Sequence, residues 1–356
     1  MSGKTKIEWA DRVWNPVVGC SVVSAGCTNC YAMRQAARWR NDPASVYRGL
    51  TRHRPGKGAA WTGDVRLAPE ATLKAPLGWR QPARIFVNSM GDLFHESAPD
   101  AWIDQVFAVM ALAPQHLFMI LTKRPDRMWA YFAPFHRRRA DGRGEAVQKL
   151  GYAGPLEALS WPLPNLWLGV SVEDQATADA RIPLLLETPA AGRFVSAEPL
   201  LGPVDLTKFM WPVRAQWPAG FKSPQAAAAA GAAVTYHRQG LVTANRKFLD
   251  LVIAGGESGP ASKRPKTGRT GARPMHPAWP RAIRDQCAAA GTPFNFKQWG
   301  EWGEAMLPPV RDAYFWPAET ARGDMPVSYR VGKRAAGRTL DGRTHDAVAP
   351  LPGAAS

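Results

Sequence analysis

The sequence is short of cysteine, of acidic residues and of long apolar runs. Only four cysteines occur in 356 residues, and three of them are clustered. An odd cluster does not suit a disulfide framework, which pairs its thiols. No stretch approaches the roughly 20 apolar residues of a membrane span. The opening MSGKTKIEWADR is polar, with no apolar run like that of a signal peptide. The expectation is a soluble cytoplasmic protein with no membrane partner. The seven histidines form no C-x2-C…H-x3-H pattern, which excludes a zinc finger of that type. No fixed-period repeat is visible. Asp plus Glu is 29 against 45 Lys plus Arg, a net charge of +16. That balance favours an anionic partner, with DNA or RNA the obvious one. An Arg-, Ala- and Pro-rich composition also carries such an excess without any partner.

What is present begins with VVGCSVVSAGCTNCYAM, residues 17–33. It spaces Cys20, Cys27 and Cys30 as C-x6-C-x2-C. Three thiolates suit a metal cofactor that keeps one position open. Iron–sulfur clusters are held by cysteine thiolates, and a cube held by three leaves one iron free. Zinc would need a fourth ligand. Cys287 is the remaining cysteine, but Trp279, Ile283 and Cys287 recur at i, i+4, i+8, the stripe of a buried helix face. His53 and His95 are the other candidates for a fourth position. A redox dithiol at Cys27 and Cys30 leaves Cys20 unexplained. Pro16, Gly19 and Gly26 let the backbone fold tightly around a cofactor.

The 46% hydrophobic content supports a substantial core. Six short apolar runs read as buried strands: 83–90, 116–125, 166–174, 192–200, 248–259 and 293–300. Helical patterns at 98–114, 124–132, 175–188 and 276–291 alternate with them. Asp100 is the expected N-cap of the first; either a seventh strand lies near 7–10, or the cysteine loop follows that segment directly. Continuous apolar strands alternating with helices indicate a parallel sheet covered on both faces. The fold class is therefore α/β, as a full or partial (β/α) barrel.

In such a sheet the chemistry sits at the C-terminal strand ends. Ionisable and hydroxyl residues collect there: Asp92, Lys123, Arg124, Ser171, Glu173, Glu198, Glu257 and Lys297. The expected organisation is one barrel domain over 1–304, with insertions at about 136–164 and 209–247. A C-terminal extension at 305–356 is expected to be partly disordered. Residues 260–284 carry seven Lys or Arg and no acid, and HRRR at 136–139 is a second basic run.

The stretches IEWADRVWNPVVGCSVVSAGCTNCYA, VNSMGDLFHE, LTKRP, GVSVED, FVSAEPLLGPV and IAGGESG together resemble a phage and bacterial family, the phage gp-thirty-seven/gp-sixty-eight type. That family is similar to radical S-adenosylmethionine enzymes, and especially to spore photoproduct lyase. The resemblance covers about residues 6–304. It implies a partial barrel of the radical-SAM type with a [4Fe-4S] cluster on Cys20, Cys27 and Cys30. The free iron would chelate S-adenosyl-L-methionine, and one-electron reduction would cleave it to methionine and a 5′-deoxyadenosyl radical. A reductase or flavodoxin-type protein would supply the electron.

By position, the resemblance assigns Asp92 to the methionine ammonium and Lys123 or Arg124 to its carboxylate. Ser171 and Glu173 would take the ribose hydroxyls, and Gly255, Gly256 and Glu257 the adenine or sulfonium edge. Tyr31 and Lys297 would assist proton or hydrogen transfer. The sequence departs from the commonest radical-SAM spacing, since its first gap is six residues. Asn29 stands where an aromatic residue is usual, with Tyr31 just after. The likeness and the charge together imply modification or repair of a nucleic acid, with phosphates held by 260–284. The alternatives are a non-enzymatic cysteine-ligated metal protein that binds nucleic acid, and a radical enzyme acting on a peptide or small metabolite.

Overall fold

The computed structural model describes residues 2–55, 58–133, 140–151, 160, 162–211, 213–216, 219–220, 235–238, 247–259, 271–304, 312–316 and 327–353. One sheet of eight strands dominates it: β1 (Gly3–Lys4), β2 (Arg12–Trp14), β3 (Arg84–Val87), β4 (Leu117–Thr122), β5 (Leu166–Val172), β6 (Gly192–Ala197), β7 (Leu251–Gly255) and β8 (Phe294–Gln298). The strands lie side by side in chain order. Only β1 runs antiparallel; every neighbouring pair from β2 to β8 is parallel. The sheet curls into a half-barrel. All seven parallel strands therefore end on one rim.

Each strand is apolar on both sides because both sides are covered. The convex face packs on helices α2 (Asp100–Ala111), α3 (Pro125–Phe132), α5 (Gln175–Glu187) and α6 (Ala278–Ala290); α1 is Tyr31–Ala36 and α4 is Ala140–Lys149. Ile85, Phe118, Leu168, Val195 and Val252 meet Val106, Phe107, Ile182, Leu185, Ile283 and Cys287 there. Cys287 is fully buried in this layer and its thiol is pushed up by burial, as the helix stripe implies. The other face gathers Leu117, Met119, Phe194, Leu251 and Ile253 around Trp9 and Ala349.

Two expectations need correction. The first parallel strand is not at 7–10 but at Arg12–Trp14. Residues 7–10 form a turn whose Trp9 packs on Phe86 and Phe194 inside the half-barrel. Its apolar character reflects that plug rather than strand pairing. Asp100 is not the N-cap of α2. Pro99 holds that position, and Asp100 is the first helical residue, ion-paired with Arg127. Residues 345–349 of the C-terminal extension bond to the barrel. Phe296 N–H donates to His345 O at 2.9 Å, and Asn295 Nδ2 to Ala347 O at 3.1 Å. Arg84 Nε donates to Ala349 O at 2.6 Å. Residues 345–349 thus cover the β8 edge and reach β3, which removes an open strand edge.

Residues 305–311, 317–326 and 354–356 of that extension lie outside the described residues. So do 134–139, most of 152–161 and most of 212–246, which hold the HRRR run and parts of the two expected insertions; α4 is the described part of the first. No helix among the described residues is long and apolar enough to cross a membrane.

Candidate functional site

The cysteine loop leaves β2 and lies against the rim formed by the other strand ends. Asn15, buried just past β2, uses its Oδ1 to accept Met90 N–H at 2.7 Å and Ser89 Oγ at 3.2 Å. Gly19 N–H then donates to Met90 O at 3.3 Å. Gly19 has φ +93, and a Cβ there would sit 2.2 Å from Asp64 O. Only glycine fits that position. These bonds fix the chain just before Cys20.

Three strand ends grip three parts of the loop. The first is the β4 end. Arg124 is 5% exposed. It donates to Asp92 Oδ2 at 3.1 Å, Glu96 Oε1 at 2.8 Å, Ser21 Oγ at 2.6 Å and Cys20 Sγ at 3.5 Å. Asp92 also accepts from Thr122 Oγ1, Lys123 N–H and Phe94 N–H. Burial works against the Arg124 charge, but Asp92, Cys20 and Glu96 more than offset it, and its pKa rises. Burial pushes the Cys20 thiol up to about 12, Asp92 adds to that push, and Arg124 opposes it.

The second is the β5 end. Glu173 is 1% exposed. Its carboxylate meets Arg181 Nη1 at 3.0 Å, Ser24 Oγ at 2.8 Å and Lys123 Nζ at 3.6 Å. Ser24 Oγ lies 4.0 Å from Cys27 Sγ. Lys123 Nζ donates to Ser171 Oγ at 2.6 Å, and Ser171 Oγ to Glu198 O at 3.0 Å. Asp174 caps α5 by a capping box with Thr177, which fixes the turn after Glu173.

The third is the β7 end. Glu257 Oε2 accepts from Asn29 Nδ2 at 2.9 Å and from Arg273 N–H at 2.8 Å. The Arg273 guanidinium also pairs with Glu257 and donates to Ala25 O at 2.9 Å. Beside it, Lys297 Nζ pairs with Glu198 at 2.9 Å, and Gln298 Nε2 donates to Ser258 Oγ at 2.7 Å. Gln298 Oε1 is buried with no partner among the described residues. The glycine pair is occupied by the chain itself: a Cβ on Gly256 would fall 1.9 Å from Trp299 O, and one on Gly255 3.2 Å from Glu198 Oε1.

Of the residues singled out in the sequence, the structure joins Cys20, Cys27, Asp92, Lys123, Arg124, Ser171, Glu173, Glu257 and Lys297 through this rim. Cys30 caps α1 and packs with Cys20 on one small apolar cluster. Tyr31 follows it and is 58% exposed. Among the described residues no group of three or more His, Cys, Asp or Glu side chains is gathered as a metal site. His53 is exposed on the Thr51–Arg54 strand of a hairpin. His95 is close, but its Nδ1 accepts Ser97 N–H at 3.1 Å. Its Nε2 therefore carries the proton and donates to Ser21 Oγ at 3.0 Å, so it is not a free ligand. Burial, with the nearby Arg124, lowers its pKa.

Sequence reasoning missed Asn15, Ser21, Ser24 and Arg181, and read Arg273 as a phosphate contact of the basic run rather than as the partner of Glu257. Ser21 and Ser24 lie between the cysteines, the one signal available. The basic run at 260–284 is partly neutralised: Arg273 pairs with Glu257, Arg281 with Glu304 and Asp341, and Arg284 with Asp285 and Asp341. Lys263, Arg264, Lys266 and Arg269 lie outside the described residues.

The Cys20 environment has a direct chemical consequence. In the metal-free chain Cys20 should resist iodoacetamide at pH 8, because the thiolate is the nucleophile and its fraction is then about one in ten thousand. Its alkylation rate should climb about tenfold per pH unit up to pH 11. Peptide mass spectrometry reads this directly, and fast labelling at pH 8 would contradict the burial.

Comparison with known proteins gives one family result. The family model described as a protein of unknown function (DUF5131) matches residues 4–349. No curated protein and no solved structure matches the chain. The matched span takes in the whole half-barrel, the cysteine loop and the segment that closes the β8 edge. The chain therefore belongs to the DUF5131 family.

Proposed function

We propose that this protein is a radical S-adenosylmethionine enzyme that modifies or repairs a nucleic acid. The observation that carries the reading is the placement of the thiol loop. Three cysteines sit on one loop after the first parallel strand, at the carboxyl rim of a half-barrel whose strands follow in chain order. The donor chemistry fits a cluster: thiolates are the ligands such clusters take, and no fourth cysteine stands near. The buried, unpartnered Gln298 Oε1 at the same rim suits a ligand that brings a donor.

Cys20, Cys27 and Cys30 would hold a [4Fe-4S] cluster, which when bound supplies the electron that cleaves S-adenosyl-L-methionine. This chain's residues do the holding. Arg124 places a positive charge beside Cys20 and, through Ser21, orients the loop. Ser24 ties the Cys27 segment to Glu173, and Asn29 ties the Cys30 segment to Glu257. Asp92 and Glu173 are already engaged by Arg124 and Arg181, so a cosubstrate would exchange contacts with them rather than fill empty ones. Lys297, held by Glu198, is the ammonium placed to move a proton at the rim. The excess of positive charge favours a polyanionic substrate.

Anaerobic reconstitution with iron and sulfide tests the cofactor part. The expected product is brown, holds about four irons per chain as a three-cysteine cluster allows, and has a reduced paramagnetic signal that changes on adding S-adenosylmethionine. Cys27→Ala should lose most of that iron. A colourless protein that takes up zinc instead would move the answer to a metal-binding protein without radical chemistry.

A further inference from the structure

The lobe between β2 and β3 carries a dense set of cations that the rim does not use. Leaving aside Arg34, whose Nη2 donates to Ser258 O at 3.4 Å at the rim, residues 35–66 contain seven Lys or Arg and two acids, Asp42 and Asp64. The lobe is small but well built. Ala32, Met33, Ala36, Tyr47, Leu50, Ala60 and Trp61 form its own apolar cluster, and Cys20 and Cys30 pack against the same cluster. The cations are thus mounted on the scaffold that seats the thiol loop.

Their arrangement is specific. Thr51–Arg54 pairs antiparallel with Gly58–Trp61, and Arg52 and Arg54 are both exposed. Alternate strand residues share a face, so these two guanidinium stems stand on one side of the hairpin, about 7 Å apart along it. The turn that leads into the hairpin gathers three more. Gly49 N–H donates to Arg40 O at 3.0 Å, Arg66 Nη1 reaches Val46 O at 3.1 Å, and Arg48 projects exposed between them. None of Arg38, Arg40, Arg48, Arg52, Arg54 and Arg66 forms an ion pair among the described residues. The contrast with Arg273, Arg281 and Arg284, each paired with a carboxylate, is direct. Holding like charges together without counter-charges costs stability, and a polyanion repays it.

We propose that this lobe is the surface that grips the phosphate backbone of a single nucleic-acid strand. Arginine rather than lysine dominates it, and guanidinium suits bidentate phosphate contacts. Tyr31, exposed at the start of α1 next to Cys30, offers a stacking face beside the thiol loop. A strand lying along the arginines would reach the rim through Tyr31. This placement deepens the nucleic-acid part of the proposed function and is independent of the iron–sulfur part.

The test is fluorescence anisotropy of the full chain, without added cofactor, on labelled 20-nucleotide single-stranded DNA and RNA of mixed sequence. The Arg48→Ala/Arg52→Ala/Arg54→Ala variant should bind about tenfold or more weakly near 0.1 M salt. Its log Kd against log salt slope should fall by about 2, since each phosphate contact on a single strand contributes about 0.7. Tyr31→Ala should weaken binding about fivefold or more with the slope unchanged. The charge-matched control Lys333→Ala/Arg334→Ala/Arg343→Ala, exposed on the C-terminal segment, should stay within about twofold of the wild type by the same counterion rule.

Equal losses in both triple variants would reduce the effect to overall charge and overturn the proposal. So would wild-type affinity in the first triple variant, or wild-type protein that binds phosphatidylserine vesicles and no oligonucleotide. Oligonucleotide binding that needs these arginines, in a protein that never cleaves S-adenosylmethionine, would uphold this surface and sink the radical chemistry alone.

Discussion

Replacing Arg124 by methionine should cost the fold about 3–5 kcal/mol. Arg124 and Asp92 are both almost fully buried and lie 3.1 Å apart. Removing the guanidinium leaves the Asp92 carboxylate in the interior with only neutral donors, Thr122 Oγ1 and two backbone N–H groups. Breaking such a pair from one side is expensive because the surviving charge stays desolvated. The same change frees Ser21 and Cys20 and so loosens the thiol loop. Urea unfolding of the metal-free chain measures the loss. The double variant Arg124→Met/Asp92→Asn should recover a large part of it, because the orphaned charge is gone. A loss under about 1 kcal/mol, the scale of an exposed pair, would mean that water reaches Asp92.

Gly256→Ala should be comparably damaging. The added Cβ would lie 1.9 Å from Trp299 O and 2.7 Å from Trp299 C, both backbone atoms. Trp299 has little freedom to withdraw. Its N–H donates to Gly337 O, its indole Nε1 to Thr339 O at 2.8 Å, and its ring is buried. Gly256 N–H is itself bonded to Gln298 O at 2.9 Å, just past the register shift between β7 and β8. Relief requires parting those two strands at the rim, at a cost of about 3 kcal/mol or more, the upper range of overpacking. Gly78→Ala is the control, since a Cβ there meets nothing within 4 Å and no positive φ is required. That change should lie within about 1 kcal/mol of the wild type. Thermal melts of the two variants side by side separate the steric effect from the entropy of glycine loss.

The barrel strands were legible because each is a short continuous apolar run that ends in a polar or glycine residue, and both faces of the sheet are covered. The first parallel strand was not. Arg12-Val13-Trp14 is too short to show a pattern, and the apolar residues just before it serve as a plug. The rim residues were legible for the same reason as the strands, since Asp92, Glu173, Glu198 and Glu257 each lie within a few positions of a strand end. Their partners were not. Arg181 stands on a helix face eight residues beyond Glu173, and Arg273 lies sixteen residues beyond Glu257. Nothing in local spacing marks either as a partner. The pairing of Arg273, Arg281 and Arg284 in the basic segment was hidden for a related reason. The carboxylates of Glu304 and Asp341 that neutralise Arg281 and Arg284 come from distant stretches, so a run without acids in sequence is not without acids in space. The arginines at 35–66 are more dispersed along the chain, yet the lobe brings them together unpaired.

The most direct measurement of the central claim is S-adenosylmethionine cleavage. Anaerobically reconstituted protein is reduced with dithionite in the presence of S-adenosylmethionine, and 5′-deoxyadenosine and methionine are separated by chromatography. The account predicts both products from the wild type and neither from Cys27→Ala. A fully loaded iron–sulfur protein that leaves the cosubstrate intact would contradict it.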